Sequence, residues 1–159
     1  MLKGHNILLR SLQASDLDFL QEIENNKENW HYGGDRKIFS REELANYISN
    51  SSANINIAKQ YRFVIDLHNN PIGFIDLFDY NTKDVSVGVI IATNFRDKGF
   101  AKEALILIID YAFITLGLKK IKASIQKDNL VSIKLFNSCG FTFASQKKSL
   151  QYFVKLAAK

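Results

Sequence analysis

Seven short runs of the chain read as strands: HNILLRSL, YRFVIDL, PIGFIDLFDY, VSVGVIIAT, KKIKASIQ, FTFAS and LQYFVKL. KKIKASIQ alternates polar and apolar residues, as a strand with one solvated face does, and VSVGVIIAT is a near-continuous β-branched run. HNNP separates the second and third runs with turn-forming residues, so those two read as a hairpin. Four other stretches have helical spacing. Leu17, Leu20 and Ile23 predict a helix from Asp16 to about Asn25. Leu44, Tyr47 and Ile48 give the next helix its apolar face. Ala104, Leu105, Ile108, Ile109 and Ala112 mark a third, and a short fourth runs from Asn129 to Ser138. The ends are punctuated. Ser15 with Asp18, and Ser40 with Glu43, have the spacing of capping boxes. Asn129 suits an N-cap, and Gly117 and Gly140 suit helix ends. The polar, glycine-containing NNKENWHYGGDRK joins the first two helices as a loop. The order is β, α, α, three strands, α, β, α, β, β, which is a mixed α/β sheet. No repeat, low-complexity block or linker interrupts it, so a single domain over 1–159 is expected.

Composition narrows the classes of function. Lys plus Arg exceed Asp plus Glu by five (21 − 16) among 159 residues. A basic excess suits a phosphorylated ligand, a membrane surface or nucleic acid. The basic residues are scattered and match no nucleic-acid-binding motif, so no nucleic-acid partner is expected. Cys139 is the single cysteine, so no internal disulfide and no cysteine-built zinc site can form, and no metal is expected. MLKGHNILLRSLQ lacks the apolar core of a signal peptide. The longest uncharged apolar run, ALILII, falls far short of the roughly 20 residues that span a bilayer. The expectation is a cytoplasmic protein with no membrane partner.

One junction stands out. FRDKGFAKEAL leaves a strand and enters a helix with no Ser, Thr, Asn or Asp at the cap. A helix start exposes about four unpaired N–H groups and a partial positive charge. A phosphate answers both needs. Gly99 lets a ligand approach the backbone, the small Ala101 keeps the way clear, and Arg96, Lys98 and Lys102 add mobile positive charge nearby. Neither a GxGxxG nor a Walker A spacing is present, which counts against dinucleotide and P-loop nucleotide ligands.

RDKGFA resembles the R/Q-x-x-G-x-G/A pyrophosphate loop of the GNAT superfamily of acetyl-CoA-dependent N-acetyltransferases. DNLVSIKLFNSCGF resembles that family's N-x-x-S-x-x-L-Y-x-x-x-G-F segment, from Asn129 to Phe141. ILLRSLQASDLDFLQEIENN resembles the start of a branch that includes spermidine and ribosomal-protein N-terminal acetyltransferases. The likeness covers nearly the whole chain. It implies a GNAT-like fold: a mostly antiparallel sheet of six to seven strands, splayed at the cofactor site and flanked by about four helices.

The resemblance also implies roles. Backbone groups of Val89 and Ile91 would bond the pantetheine arm of acetyl-CoA, with the Val89 N–H facing the thioester oxygen as catalytic donor. The stretch Arg96, Asp97, Lys98, Gly99, Phe100, Ala101 and Lys102 would hold the pyrophosphate, although Asp97 stands where Gly or a small basic residue is common. Asn129 would touch the arm, with Ser132 and Phe136 beside it. Phe136 occupies the place of a Tyr that protonates the leaving thiolate, and Ser86 that of a Glu base. Ser138 and Cys139 are near in sequence but on other helix faces. Asp76 is the first choice for base or amine anchor, and Asp79 the second. Glu24 and Glu28 would attract a cationic amine, and Trp30 and Tyr32 would pack on it; His31 lies in the same loop. The expected reaction is acetyl transfer from acetyl-CoA to a small primary amine such as a polyamine, diamine or amino sugar. Alternatives are a protein N-terminus as acceptor and, because of Phe136 and Ser86, a non-catalytic acyl-CoA-binding module. A homodimer is among the expected partners.

Overall fold

Residues 1–32 and 37–158 are described by the structure, a computed structural model, the side chains of 31 and 32 excepted. Eight strands form one sheet: β1 (Leu2–Lys3), β2 (Leu8–Ser11), β3 (Tyr61–Leu67), β4 (Asn70–Phe78), β5 (Asp84–Ile91), β6 (Lys120–Gln126), β7 (Thr142–Lys147) and β8 (Leu150–Leu156). Their spatial order is β1-β2-β3-β4-β5-β6-β8-β7. Every neighbouring pair is antiparallel except β5 with β6. The helices are α1 (Leu17–Asn25), α2 (Arg41–Asn50), α3 (Ile55–Ala58), α4 (Phe100–Asp110) and α5 (Leu130–Ser138). The two-residue β1 and the single-turn α3 are too short to leave a periodic pattern, which is why the sequence shows seven strands and four helices.

The alternation of each strand sorts its residues between two layers. Ile75, Leu77, Val85, Val87 and Ile91 share a core with Leu105, Ile108 and Ile109 of α4 and with Phe136 and Phe141. Val64 and Phe74, from the opposite face, pack with Leu20 and Ile23 of α1 and Leu44 of α2. The cofactor-loop helix and the first two helices therefore lie on opposite sides of the sheet. Among the described residues no helix is long and apolar enough to cross a membrane.

Ser40 and Glu43 do form a capping box: the Glu43 N–H donates to Ser40 Oγ at 3.1 Å, and the Ser40 N–H to Glu43 Oε1 at 3.4 Å. The expected Ser15–Asp18 box is not formed. A 3-10 turn over Ala14–Asp16 precedes α1, and Asp16 Oδ2 accepts the Gln13 N–H at 2.9 Å. Asp16 is drawn there by Arg10, whose Nη1 and Nη2 reach its two oxygens at 2.8 and 2.9 Å. Asn129 caps α5 through its Oδ1, which accepts the Ser132 N–H at 3.2 Å. Gly117 (φ 67°) and Gly140 (φ 91°) take the left-handed conformation that ends α4's π-helical extension and α5.

Candidate active site

The rungs between β5 and β6 stop at Ser86 with Lys122, and beyond that point the two strands part. Lys83 O accepts the Lys119 N–H on the β6 side, whereas the Ala92 N–H donates to Ile72 O on the β4 side. Backbone groups alternate in direction along a strand. Val89 and Ile91 therefore aim their N–H and C=O groups into the gap, while their side chains pack against or within the α4 core. Such groups need partners, and an extended, amide-bearing arm provides them as an added strand. The resulting cleft is lined by Val87, Gly88 and Val89 on one wall and Ser124, Ile125 and Gln126 on the other. Asn129, Ser132, Phe136 and Leu150 complete it.

The loop at the start of α4 lies at the end of β5. Gly99 is its N-cap at φ 86°, without a side-chain cap, and no heavy atom of the described residues stands within 4 Å of where a Cβ would project. The backbone is thus open to a ligand at the helix's positive end. Asp97 takes φ 61°, a conformation that Asp tolerates better than most residues, and its carboxylate is exposed. Lys98 and Lys102 are exposed, and Phe100 and Ala101 pack on the core. Arg96 differs from the expectation of a mobile charge. Its Nε donates to Ile91 O at 2.8 Å and its Nη2 to Asn29 Oδ1 at 3.1 Å. The Ile91 carbonyl has no partner on β6, so it draws the guanidinium inward.

On the α1/α2 face the predicted acids are brought together by a residue the sequence reading passed over. Arg62 of β3 donates Nε to Asp76 Oδ1 at 2.7 Å and Nη2 to Asp76 Oδ2 at 2.8 Å, and its Nη1 donates to Glu24 Oε1. Its guanidinium carbon lies 4.7 Å from the Phe74 ring centre and 5.7 Å from that of Tyr47. Burial opposes the charge on Arg62, but Asp76 and Glu24 outweigh it and keep the guanidinium protonated. Burial pushes the Tyr47 hydroxyl up. Asp76 pairs in register with Gly88, a lining residue of the cleft, so the cluster stands one strand from the gap.

The loop after α1 is a 3-10 turn over Lys27–Tyr32 that also touches β6. Trp30 Nε1 donates to Glu24 O at 3.2 Å, and Glu28 is exposed. Asn29 is buried, with its Nδ2 on Ile23 O at 3.1 Å. The side chains of His31 and Tyr32 lie outside the described residues. Asp79 falls beyond the end of β4 at φ 51° and is exposed, apart from the cluster. Phe136 is buried edge-on against Phe141, ring centres 5.0 Å apart. Ser138 Oγ donates to Leu135 O at 2.7 Å, and neither it nor Cys139 lines the cleft. Arg62, Asn29, Ser124 and Gln126 are the site residues that the sequence did not point to.

A helix start open to a phosphate, a gap in the sheet and a charged cluster one strand from it fit an acyl-CoA-dependent transferase. Residues 6–142 match the model of the acetyltransferase (GNAT) domain. The chain is 30% identical over 138 residues to a spermidine N(1)-acetyltransferase of Vibrio cholerae serotype O1, covering 85% of this chain and 78% of that protein. A crystal structure of spermidine N-acetyltransferase from Vibrio cholerae, in complex with CoA and spermine, superposes with a TM-score of 0.83 at 25% identity over 95% of both chains. A ribosomal L7/L12 alpha-N-protein acetyltransferase in complex with coenzyme A shares the fold, with a TM-score of 0.85 at 14% identity over 96% of this chain and 95% of that one. The chain belongs to the acetyltransferase (GNAT) domain family. It is an N-acetyltransferase that uses acetyl-CoA as donor and an amine as acceptor.

Proposed function

We propose that the acceptor is a small primary amine of the polyamine, diamine or amino-sugar type, meeting the thioester from the α1/α2 face of the sheet. The Glu24–Arg62–Asp76 cluster beside Gly88 carries this reading, because it is a charged constellation set into an otherwise apolar layer at the cleft. The matched spermidine acetyltransferase supports it. Acetyl-CoA supplies an acetyl group activated as a thioester. The backbone N–H groups from Asp97 to Lys102 receive the pyrophosphate, the Arg96 N–H being bonded to Thr93 O, and Val89 and the Ile91 N–H receive the arm, the Ile91 carbonyl being held by Arg96. The Val89 N–H faces the oxygen on which charge develops during attack, where a fixed donor is worth most. Asn129 has committed its Oδ1 to the cap, so its amide N–H groups serve the arm. Ser132 and Phe136 wall the thiol end.

Both Asp76 oxygens are held by the Arg62 fork, so Asp76 acts as an anchor rather than as the base. An amine with a pKa near about 10 is mostly protonated at neutral pH, and water carries that proton away. Phe136 donates nothing, and the thiolate leaves without side-chain help. Glu24, Glu28 and Trp30 border the acceptor. A cytoplasmic location belongs to the same reading, supported by the lone cysteine. So does a homodimer, supported by the exposed edge strand β7, on which Phe143 is 56% exposed.

A protein N-terminus is a second reading, favoured by one observation. Beyond the gap, the face of the sheet that α1 and α2 cover elsewhere carries Lys122, Ser124, Tyr152 and Val154, all half-buried or exposed, as the floor of an open groove would. Release of free thiol from acetyl-CoA, measured across diamines, polyamines, amino sugars and short peptides, tests both. Turnover with small amines is expected. Turnover confined to peptides selects the second reading. Tight acetyl-CoA binding by calorimetry with no turnover at all selects a non-catalytic module.

A further inference from the structure

Gly88 lines the cleft without a side chain, between Val87 and Val89 on β5. The fold does not ask for glycine there. Its φ is not positive. Among the described residues an added Cβ would meet, beyond its chain neighbours, only Phe78 Cε1 at 3.7 Å, an ordinary contact. Gly73 on β4 is the contrast, because a Cβ there would clash with Ile90 O. A glycine inside a strand weakens it, and where packing gives no reason for one, a ligand that comes close to the backbone does.

The missing side chain would stand on the acceptor side. Gly88 pairs with Asp76, and its neighbours in the same alternation, Ser86 and Ile90, pair with Phe78 and Phe74. Phe74 and Ile90 pack with α1 and α2, so the whole row faces that layer. Val87 and Val89 turn the other way, to the α4 core. The carbonyl carbon of Gly88 is bonded to the Val89 nitrogen, so a Cβ at 88 would hang beside the N–H that the reading above sets against the thioester oxygen. On the far wall Ser124, between the core residues Ala123 and Ile125, faces the same side and is exposed.

We infer that Gly88 keeps the line of attack open around the carbon that bears the amine, so that the acceptors include primary amines on a branched carbon, as in amino sugars and α-amino compounds, beside unbranched ones. This deepens the reading above and rests on its placing of the amine on the α1/α2 face. An amine on an unbranched carbon brings one carbon substituent, which can turn away from the strand. One on a branched carbon brings two, and one of them must lie against the wall. The reacting atoms have to come within about 3–3.5 Å of each other, so a single methyl group in the way is felt. Here the wall is bare backbone.

The test compares kcat/KM for n-butylamine and sec-butylamine, which carry the same charge and the same carbons and differ in branching at the amine. For the wild type the two values are expected to lie within about tenfold of each other. Gly88→Ala should shift the ratio about tenfold against sec-butylamine, and Gly88→Val further. Its melting temperature should not fall below that of the wild type, because the Cβ has room, and acetyl-CoA affinity by calorimetry should change less than twofold. A wild type that discriminates against sec-butylamine by more than about tenfold overturns the inference, whether or not the variants fold. So does an unmoved ratio in Gly88→Ala, or a loss of acetyl-CoA affinity that matches its loss of activity, which would set the Cβ against the arm. Those results leave the small-amine reading standing. Turnover of peptides alone removes that reading but not this inference, which is then tested on tripeptides with glycyl and alanyl N-termini, with the same ratios expected. Absence of turnover with every amine removes both.

Discussion

Two residues decide how the donor half of the site works. Phe136 lines the cleft with a ring that is 3% exposed and carries no proton to give. Phe136→Tyr adds a hydroxyl at the position from which the family's tyrosine serves the departing sulfur. We expect kcat to rise several-fold, at the lower end of the 10²–10⁴ range of general acid catalysis or below it, with KM for acetyl-CoA little changed. An unchanged kcat with a lowered melting temperature would mean that the hydroxyl finds only the Phe141 ring. Ala101 stands in the first turn of α4, beside the open Gly99 cap. Ala101→Glu sets a carboxylate where the pyrophosphate is received, and acetyl-CoA affinity should fall by about tenfold or more, since a like charge near a helix N-terminus reverses the electrostatics of the cap. Calorimetry with acetyl-CoA checks this, and undiminished affinity would place the pyrophosphate elsewhere. Both residues were legible in the sequence because each sits in a local motif: a strand–Gly–helix junction, and a capped helix with Asn129 at its head.

At the scale of elements, what escaped the sequence depends on pairings across the sheet. The two-residue turn of the β3–β4 hairpin pairs Leu67 with Asn70, so partner numbers sum to 137. Continued without interruption, that register sets Arg62 opposite Ile75 and puts Asp76 on the other face. A bulge at Ile65/Asp66 raises the sum to 138, and Arg62 falls opposite Asp76. Nothing in YRFVIDLHNNPIGFIDLF announces that extra residue, so the acid at the centre of the candidate site could be named while its partner could not. Asn29 was hidden for a similar reason. It is one polar residue in a polar loop, yet it is buried and links Ile23 O of α1 to Arg96 at the pyrophosphate loop. Arg96 in turn holds the carbonyl of Ile91, at the end of the splayed strand. The chain of contacts ties the loop after α1 to the loop that starts α4. Asn29→Ala leaves the Arg96 guanidinium without one acceptor and the loop without its anchor. The expected outcome is a several-fold higher KM for the amine, with acetyl-CoA affinity measured alone changed less than twofold. An equal loss of both would mean that Asn29 acts, through Arg96, on the loop that starts α4 as much as on its own loop.

Taken as a whole molecule, the sheet is divided by its gap, and polar ties hold the N-terminal strands to β3, to the turn before α1 and to the first turn of α4. Arg10 on β2 bridges Asp16 and Asp66, all at 12% side-chain exposure or less, and Asp66 Oδ1 also accepts the Asn69 N–H of the hairpin turn at 2.8 Å. Removing one member leaves buried charge uncompensated, so Arg10→Met should cost about 3–5 kcal/mol in denaturant unfolding. Glu103, in the first turn of α4, makes the second tie. Its Oε2 accepts the N–H groups of Asn6 and Ile7, each at 2.9 Å, and its Oε1 accepts Asn6 Nδ2 at 3.0 Å. Burial alone would raise the pKa of this carboxyl, but the two backbone N–H groups and the Asn6 amide overcome it and hold the value below the ordinary 4.5. A folded-state pKa below the unfolded one means that the native state binds its proton later, so the contribution to stability is present above about pH 4.5 and is lost as the pH falls through the lower, folded value. Glu103→Gln keeps one carbonyl oxygen for three donors and carries no charge. Its melting temperature should lie below that of the wild type at pH 7, and the difference should close as the pH falls below 4.5 and through the lower, folded-state value, because the wild-type carboxyl then becomes neutral as well. A gap that stays constant from pH 7 to pH 3 would mean that shape rather than charge makes the tie. In that case the β1–β2 turn is held by the close approach of Gly4 to Glu103, where an added Cβ would clash with Oε2.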